Sequence, residues 1–313
     1  MMFKLFIDGQ EGTTGLQIRD RIKYRDDIEL LEIPHEKRKD PHLKSQYLNS
    51  ADVVILCLPD SAARESVSMI SNNHTRIIDA STAFRTAPDW AYGIPELDKN
   101  QRKTIRNSSR VSNPGCYATG LIMLLKPLIA NSIVPSDYPV SIYAISGYSG
   151  GGKKLIAAYE DEKGCFKEPR YYALSLSHKH IPEMTKHSGL SNPPLFVPIV
   201  GNYYKGMVVS VPLHQKLLSK KISDHDIISL YMEYYDSEPF VKVMDGSPEQ
   251  ILDNGFLSPV ECNDTNMIEL FVFAKDEQLL TMTRFDNLGK GASGAAVQNM
   301  NIMMDVEETK GLI

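Results

Sequence analysis

Hydrophobic and polar positions change rhythm partway along this 313-residue chain. FKLFID (3–8) is a short apolar run followed by GQEGTTG; LQIRDRI then sets Leu16, Ile18 and Ile22 on one side of a helix. IELLEI (28–33) predicts a second strand and ADVVILCLP (51–59) a strand covered on both faces, because it is apolar almost throughout. ARESVSMI predicts a helix and TRIIDAS (75–81) another strand. Strands alternating with helices predict a parallel, doubly wound sheet.

Beyond residue 116 the alternation loosens. TGLIMLLKPLIA predicts an apolar helix, DHDIISLYMEYY a second one, and YPVSIYAIS (138–146), MVVSVPL (207–213) and NMIELFVFA (266–274) predict strands. These strands are longer and less regularly separated by helices, so the sheet should be mixed or largely antiparallel. SGYSGGGKK (146–154) is the most glycine-dense stretch and predicts a flexible loop. GKGASGAAVQNMNIMMDV near the end puts small residues on a helix and permits close packing.

Composition adds bounds. The chain is 42% apolar and 23% charged, ordinary for a globular protein and long enough for two domains. A net charge of −5 gives no reason to expect a nucleic-acid partner. Cys57, Cys116, Cys165 and Cys262 have neither metal-ligand spacing nor the density of a disulfide framework, and Cys57 sits in an apolar run and reads as core. MMFKLFIDGQ has no signal-peptide stretch and no segment has the length of a membrane span, so a cytoplasmic protein without a membrane partner is expected.

Three features carry chemistry. Gly9, Gly12 and Gly15 follow the first strand and precede the first helix, where glycines let backbone approach a dinucleotide pyrophosphate and the helix N-terminus offers N–H groups. A plain strand–turn–helix is the alternative. In EIPHEKRKD, Glu32 suits an adenosine ribose hydroxyl, whereas His35, Lys37, Arg38 and Lys39 suit a 2′-phosphate or form a solvated loop. In VSNPGCYATG, Cys116 falls on the first turn of a helix, a setting that favours a thiolate; the alternative is a small buried hydrophobe. SLSHKHIPEM supplies His178 and His180 with Glu183 close behind, a possible acid/base for that cysteine or a pair of surface histidines.

GTTG, IIDASTAFR, YGIPEL, SNPGCYATG, SGYSGGGKK, HKHIPEM and DNLGKGASGAAVQNMNIMM occur in one order over nearly the whole chain. In this it resembles the N-acetyl-γ-glutamyl-phosphate reductases of arginine biosynthesis, the shorter type, which are similar to aspartate-semialdehyde dehydrogenase in architecture and chemistry. The resemblance implies an α/β fold: an NADP-binding Rossmann domain (1–114), an α+β catalytic and dimerisation domain with a mixed, largely antiparallel sheet (115–286), and a C-terminal helix (287–313) returning to the first. It implies a homodimer or homotetramer. Gln10 and Glu11 stand where the family's first motif has small residues, and a negative Glu11 suits a pyrophosphate site only if its side chain points away.

The implied activity is NADPH-dependent reduction of N-acetyl-γ-glutamyl phosphate through a cysteine thioester, with no metal. Cys116 is the nucleophile and His178 the acid/base, whose imidazolium would join the helix terminus in favouring the thiolate. His180, Glu183, Arg85, Asn113 and Lys153 are expected at the substrate, with Lys154 beside them and Arg85 gripping an anion bidentately. Cofactor contacts are expected from Gly9, Gly12, Thr13, Thr14, Gly15, Arg38, Ser81 and Asn287. The nearest rivals are an aspartate-semialdehyde dehydrogenase, an N-acetylaminoadipyl-phosphate reductase, and a non-catalytic nucleotide sensor.

Overall fold

The computed structural model describes residues 2–38, 40–161 and 166–312, so Lys39 and Cys165 lie outside the described residues. The chain forms two compact units, one from the residues up to Gly115 with those from Ala292 onward, the other Cys116–Gly291. The first crossing falls at Gly115–Cys116 and the return at Gly291–Ala292, with Asn287 in the second unit.

In the first unit the order is β1 (Phe3–Asp8), α1 (Thr13–Ile22), β2 (Ile28–Leu31), α2 (Pro41–Ser50), β3 (Val53–Leu56), α3 (Asp60–Ser68), β4 (Arg76–Asp79), β5 (Ala91–Tyr92), α4 (Gln101–Asn107) and β6 (Arg110–Ser112). The sheet runs β2-β1-β3-β4-β6-β5, with every pairing parallel. All four residues of β3 are buried, as an apolar strand between two helical layers must be. Phe6, Leu48, Val54, Leu56, Ala63 and Ile77 pack as one core. The strand order reverses between β1 and β3, and the glycine-rich turn leaves the carboxyl end of β1, where such sheets bind ligands.

The second unit continues with α5 (Cys116–Ala130), β7 (Ser141–Gly147), α6 (Gly152–Glu160), β8 (Arg170–Tyr171), α7 (Ile181–Ser188), β9 (Leu195–Gly201), β10 (Met207–His214), α8 (Asp224–Tyr234), β11 (Val241–Val243), α9 (Pro248–Ile251), β12 (Ile268–Lys275) and β13 (Gln278–Phe285). Its sheet runs β11-β12-β13-β10-β7-β9-β8. Pairing is antiparallel through β12, β13, β10 and β7 and between β9 and β8, and parallel for β11/β12 and β7/β9. The sheet is therefore mixed, as expected.

Helix α5 runs through Pro127, which has no N–H for the Met123 carbonyl one turn back. The Tyr235 hydroxyl donates to that carbonyl at 2.6 Å and Tyr231 to the Leu124 carbonyl at 2.8 Å. Tyr235 thus satisfies the carbonyl that the proline leaves without its helical donor, and an almost wholly buried helix survives it. SGYSGGGKK is not a free loop: Gly147, Tyr148 and Ser149 donate their N–H groups to the carbonyls of Gly206, Tyr203 and Tyr204, and α6 begins at Gly152.

The chain ends in α10 (Gly294–Met303), which packs on α1, α4 and β4 of the first unit. Arg25 donates to Asn301 Oδ1 at 2.8 Å, and Arg102 pairs with Glu308 at 2.7 Å. Among the described residues no helix is long and apolar enough to cross a membrane.

Candidate active site

In the second unit Cys116 is the first residue of α5, so its thiol stands at the end of the helix where backbone N–H groups lack intrahelical acceptors. Gly291 lies against it: a β-carbon built there would come 2.8 Å from the Cys116 Cβ. The next side chain, Tyr117, is buried, and its hydroxyl hydrogen-bonds to Tyr172 and Ser146. Burial, with the neighbouring Tyr172 and Cys116 charges, pushes the Tyr117 hydroxyl well above the ordinary phenol range. Burial raises Tyr172 too, and the Cys116 charge adds to it. Both phenols therefore keep their protons at neutral pH.

His178 joins this group through rings and hydrogen bonds. It packs edge-on against Tyr117, Tyr172 and Phe196, with centroids 5.8, 5.7 and 5.0 Å away. Its Nε2 stands 3.5 Å from the Tyr172 hydroxyl. Its Nδ1 accepts the backbone N–H of His180 at 3.1 Å. An Nδ1 that accepts cannot also carry a proton, so the neutral ring holds its proton on Nε2. His180 is the N-cap of α7, buried, 4.7 Å from the His178 ring, and Glu183 is 1% exposed on the first turn of that helix. Lys153 and Lys154 are exposed on the first turn of α6.

Asn287, expected at the cofactor, is buried within this unit. Its Oδ1 accepts the Gly206 N–H at 2.8 Å and its Nδ2 donates to Ser149 Oγ at 3.1 Å, so its carboxamide fastens the end of β13. Tyr172 was not singled out from the sequence. The available signal is the doublet Tyr171–Tyr172 six residues ahead of His178, with no periodicity to mark it.

In the first unit Gly9 has φ 86°, and a β-carbon there would come 2.4 Å from the Cys57 carbonyl. Gly12 donates its N–H to the Gly9 carbonyl at 2.9 Å and serves as N-cap of α1 without a side-chain cap. Thr13, Thr14 and Gly15 form the first turn of α1, which carries no acid, so its N–H groups suit a pyrophosphate. The residues present thus fit a dinucleotide. Glu32 pairs with Arg19 at 2.7 Å, while Glu11 pairs with Arg38 and stands 3.5 Å from His35 Nε2. Glu11 is therefore turned toward cations.

At the carboxyl end of β4 the Ser81 hydroxyl donates to Asp79 Oδ2 at 2.6 Å, and Asp79 Oδ1 is buried without a hydrogen-bond partner among the described residues. Burial, with Asp60 adding, raises the Asp79 carboxyl to about 6 against the pull of Ser81 and Arg85. Burial also pushes the Cys57 thiol up to about 12, with the Asp79 and Asp8 charges adding, so it is no competing nucleophile. Arg85 is buried; its Nε donates to the Asn113 carbonyl and its Nη2 to the Ala80 carbonyl, each at 3.0 Å. Asn113 is 1% exposed, with Nδ2 donating to the Ala292 carbonyl at 2.9 Å and Oδ1 accepting from Asn299 at 3.3 Å. Both residues, expected at the substrate, make bonds that hold the turn running into Cys116.

Comparison with known proteins agrees with this division. Residues 9–105 match the family model of the semialdehyde dehydrogenase NAD-binding domain, and residues 116–287 that of the semialdehyde dehydrogenase dimerisation domain. The chain is 50% identical to N-acetyl-gamma-glutamyl-phosphate reductase of Trichormus variabilis, over 99% of each chain. It is 46% identical to N-acetyl-gamma-glutamyl-phosphate reductase 2 of Pseudomonas putida, over 98% of each. Among solved structures it is similar to aspartate semialdehyde dehydrogenase II of Vibrio cholerae, with TM-score 0.73 and 14% identity over 97% of this chain and 99% of that one. The NADP-bound aspartate semialdehyde dehydrogenase of Candida albicans gives TM-score 0.69 and 12% identity over the same shares.

Proposed function

This chain belongs to the N-acetyl-γ-glutamyl-phosphate reductases of the semialdehyde dehydrogenase family, and we propose that it reduces N-acetyl-γ-glutamyl phosphate to N-acetylglutamate 5-semialdehyde and phosphate. The observation that carries the reading is Cys116 at the head of α5, with the Tyr117, Tyr172 and His178 cluster around it.

Cys116 attacks as a thiolate. The new C–S bond forms at the γ-acyl carbon, the C–O bond to phosphate breaks, and phosphate leaves a thioester. Bound at the glycine-rich turn, the nicotinamide cofactor supplies the hydride that reduces this thioester. The carbonyl then reforms and expels the Cys116 thiolate, so the nucleophile returns in its starting state. In both halves the acyl oxygen passes through an anion, which calls for donors fixed beforehand. The Nε2–H of His178 and the backbone N–H groups at the head of α5 fill that role. No proton must move onto and off this oxygen, so a neutral imidazole that donates is sufficient. His180, Glu183 and Lys153 complete the substrate set, while Arg85 and Asn113 shape the turn before Cys116.

The cofactor reading is NADP(H). The acid suited to a free ribose hydroxyl, Glu32, is engaged by Arg19, whereas Arg38 stands beside the glycine-rich turn through Glu11. Ser81 and the first turn of α1 are the other contacts. Assembly as a dimer or tetramer draws on the outer face of the second sheet, where Tyr143 and Leu195 are about half exposed and Val197, Ile199 and Met282 partly so.

Phosphate-dependent oxidation of N-acetylglutamate semialdehyde tests this, with NADP⁺ and NAD⁺ compared and the aspartate and aminoadipate semialdehyde analogues alongside. The acetylglutamyl substrate with NADP⁺ is expected to give the highest kcat/KM. Faster turnover of either analogue overturns the substrate assignment, and equal use of NAD⁺ overturns the cofactor assignment.

A further inference from the structure

The turn GQEGTTG carries one acid, Glu11, between Gly9 and Gly12. Its carboxylate pairs with the Arg38 guanidinium and stands 3.5 Å from His35 Nε2. The other nearby acids are engaged elsewhere. Glu32 holds Arg19; Asp40 caps α2, accepting the N–H groups of His42 and Leu43; Asp8 pairs with Lys44. A carboxylate on a guanidinium offers two oxygens in the geometry that a phosphate also offers. Arg38 follows β2, which is where a dinucleotide fold recognises the adenosine ribose.

We propose that Glu11 is an internal anion seated where the cofactor 2′-phosphate binds, and that its displacement sets how strongly the chain discriminates NADP(H) from NAD(H). The proposal rests on the reading of Arg38 given above. Glu11 and Arg38 are each about half exposed, so their pairing is weak enough for a phosphate dianion to displace. A 2′-phosphate that takes the guanidinium leaves the Glu11 carboxylate beside a like charge. NAD(H) has no such group and leaves the pair in place. Glu11 therefore opposes the tighter cofactor and is neutral toward the other, which lowers the selectivity that Arg38 confers.

Calorimetric titration of NADP⁺, NAD⁺ and adenosine 2′,5′-bisphosphate into the whole chain separates these effects without any turnover. Glu11→Gln is expected to tighten NADP⁺ and the bisphosphate by about fivefold and to leave NAD⁺ unchanged. In an Arg38→Gln background the same substitution should change neither ligand. Unchanged or weaker NADP⁺ binding by Glu11→Gln, while Arg38→Gln weakens it, overturns the role of Glu11 alone. An equal gain for NAD⁺ overturns it as well, because a turn-wide charge effect then explains the gain. If Arg38→Gln binds NADP⁺ as the wild type does, the 2′-phosphate reading itself falls.

Discussion

The backbone N–H of His180 donates to Nδ1 of His178 across 3.1 Å. The bond fixes which ring nitrogen carries the proton and so which chemistry His178 can do. ¹⁵N resonances of the imidazoles in the resting protein at neutral pH should show His178 as the Nε2–H tautomer. The Nδ1–H tautomer would remove the donor role assigned to it.

The two histidines should also separate kinetically. His178→Asn, which shortens the donor, should lower kcat and kcat/KM together, by about a hundredfold or more. His178→Gln reaches farther with an amide N–H and should retain more activity than the asparagine variant. His180→Asn should mainly raise KM, since its side chain belongs to the substrate set. If His180→Asn abolishes turnover and His178→Asn leaves kcat intact, the roles are exchanged.

Cys116→Ser should reduce turnover by several orders of magnitude, because a serine hydroxyl is a far weaker nucleophile at neutral pH. Cofactor affinity measured by calorimetry should remain that of the wild type. A rate near wild type would end the covalent mechanism.

Tyr172→Phe removes a hydroxyl that meets His178 Nε2 at 3.5 Å and lies in the electrostatic reach of Cys116. Loss of this polar group from the cluster around Cys116 should move its iodoacetamide profile to higher pH and reduce kcat about tenfold. A profile that does not move assigns Tyr172 to packing alone.

Asp79 makes a pH prediction for the first unit. Its folded carboxyl titrates near 6, above the unfolded value, so between about pH 4 and pH 6 the folded chain holds more protons there than the unfolded one. Stability from this group is present below pH 4 and is lost as pH rises through 6, by on the order of 3 kcal/mol. Denaturant midpoints from pH 4.5 to 7 should therefore fall for the wild type relative to Asp79→Asn. Parallel curves would show that Asp79 ionises without penalty.

Much of this was written in the sequence as rhythm. The unbroken apolar run of β3 announced a strand covered on both faces, and the change of spacing after Cys116 announced a second sheet of another kind. What escaped did so for physical reasons. In β13 the inward positions include Thr281 and Thr283, so polar side chains stand where alternation predicts apolar ones. β9 contains Pro198, which argues against a strand. At the site, Cys116 and His178 were readable as residue types in a known order. Tyr172 was not, because tyrosines are common and only the fold brings its hydroxyl to the imidazole. The bonds by which Arg85 and Asn113 hold the turn were not legible either, because a sequence does not show which carbonyls a buried donor will meet.

The position of α10 has a consequence for the order of events during synthesis. Its contacts with α1, α4 and β4 belong to the unit built by the first residues of the chain, yet residues 116–291 must be made before it exists. At about 5–20 residues per second, that is a wait on the order of ten to thirty seconds. Throughout it Arg25 and Arg102 lack Asn301 and Glu308, and the apolar surface that α10 covers is open to other chains. The part of the protein that leaves the ribosome first is thus the last to be finished. A chain stopped short of α10 would release its second unit complete and its nucleotide-binding unit as a target for chaperones and proteases.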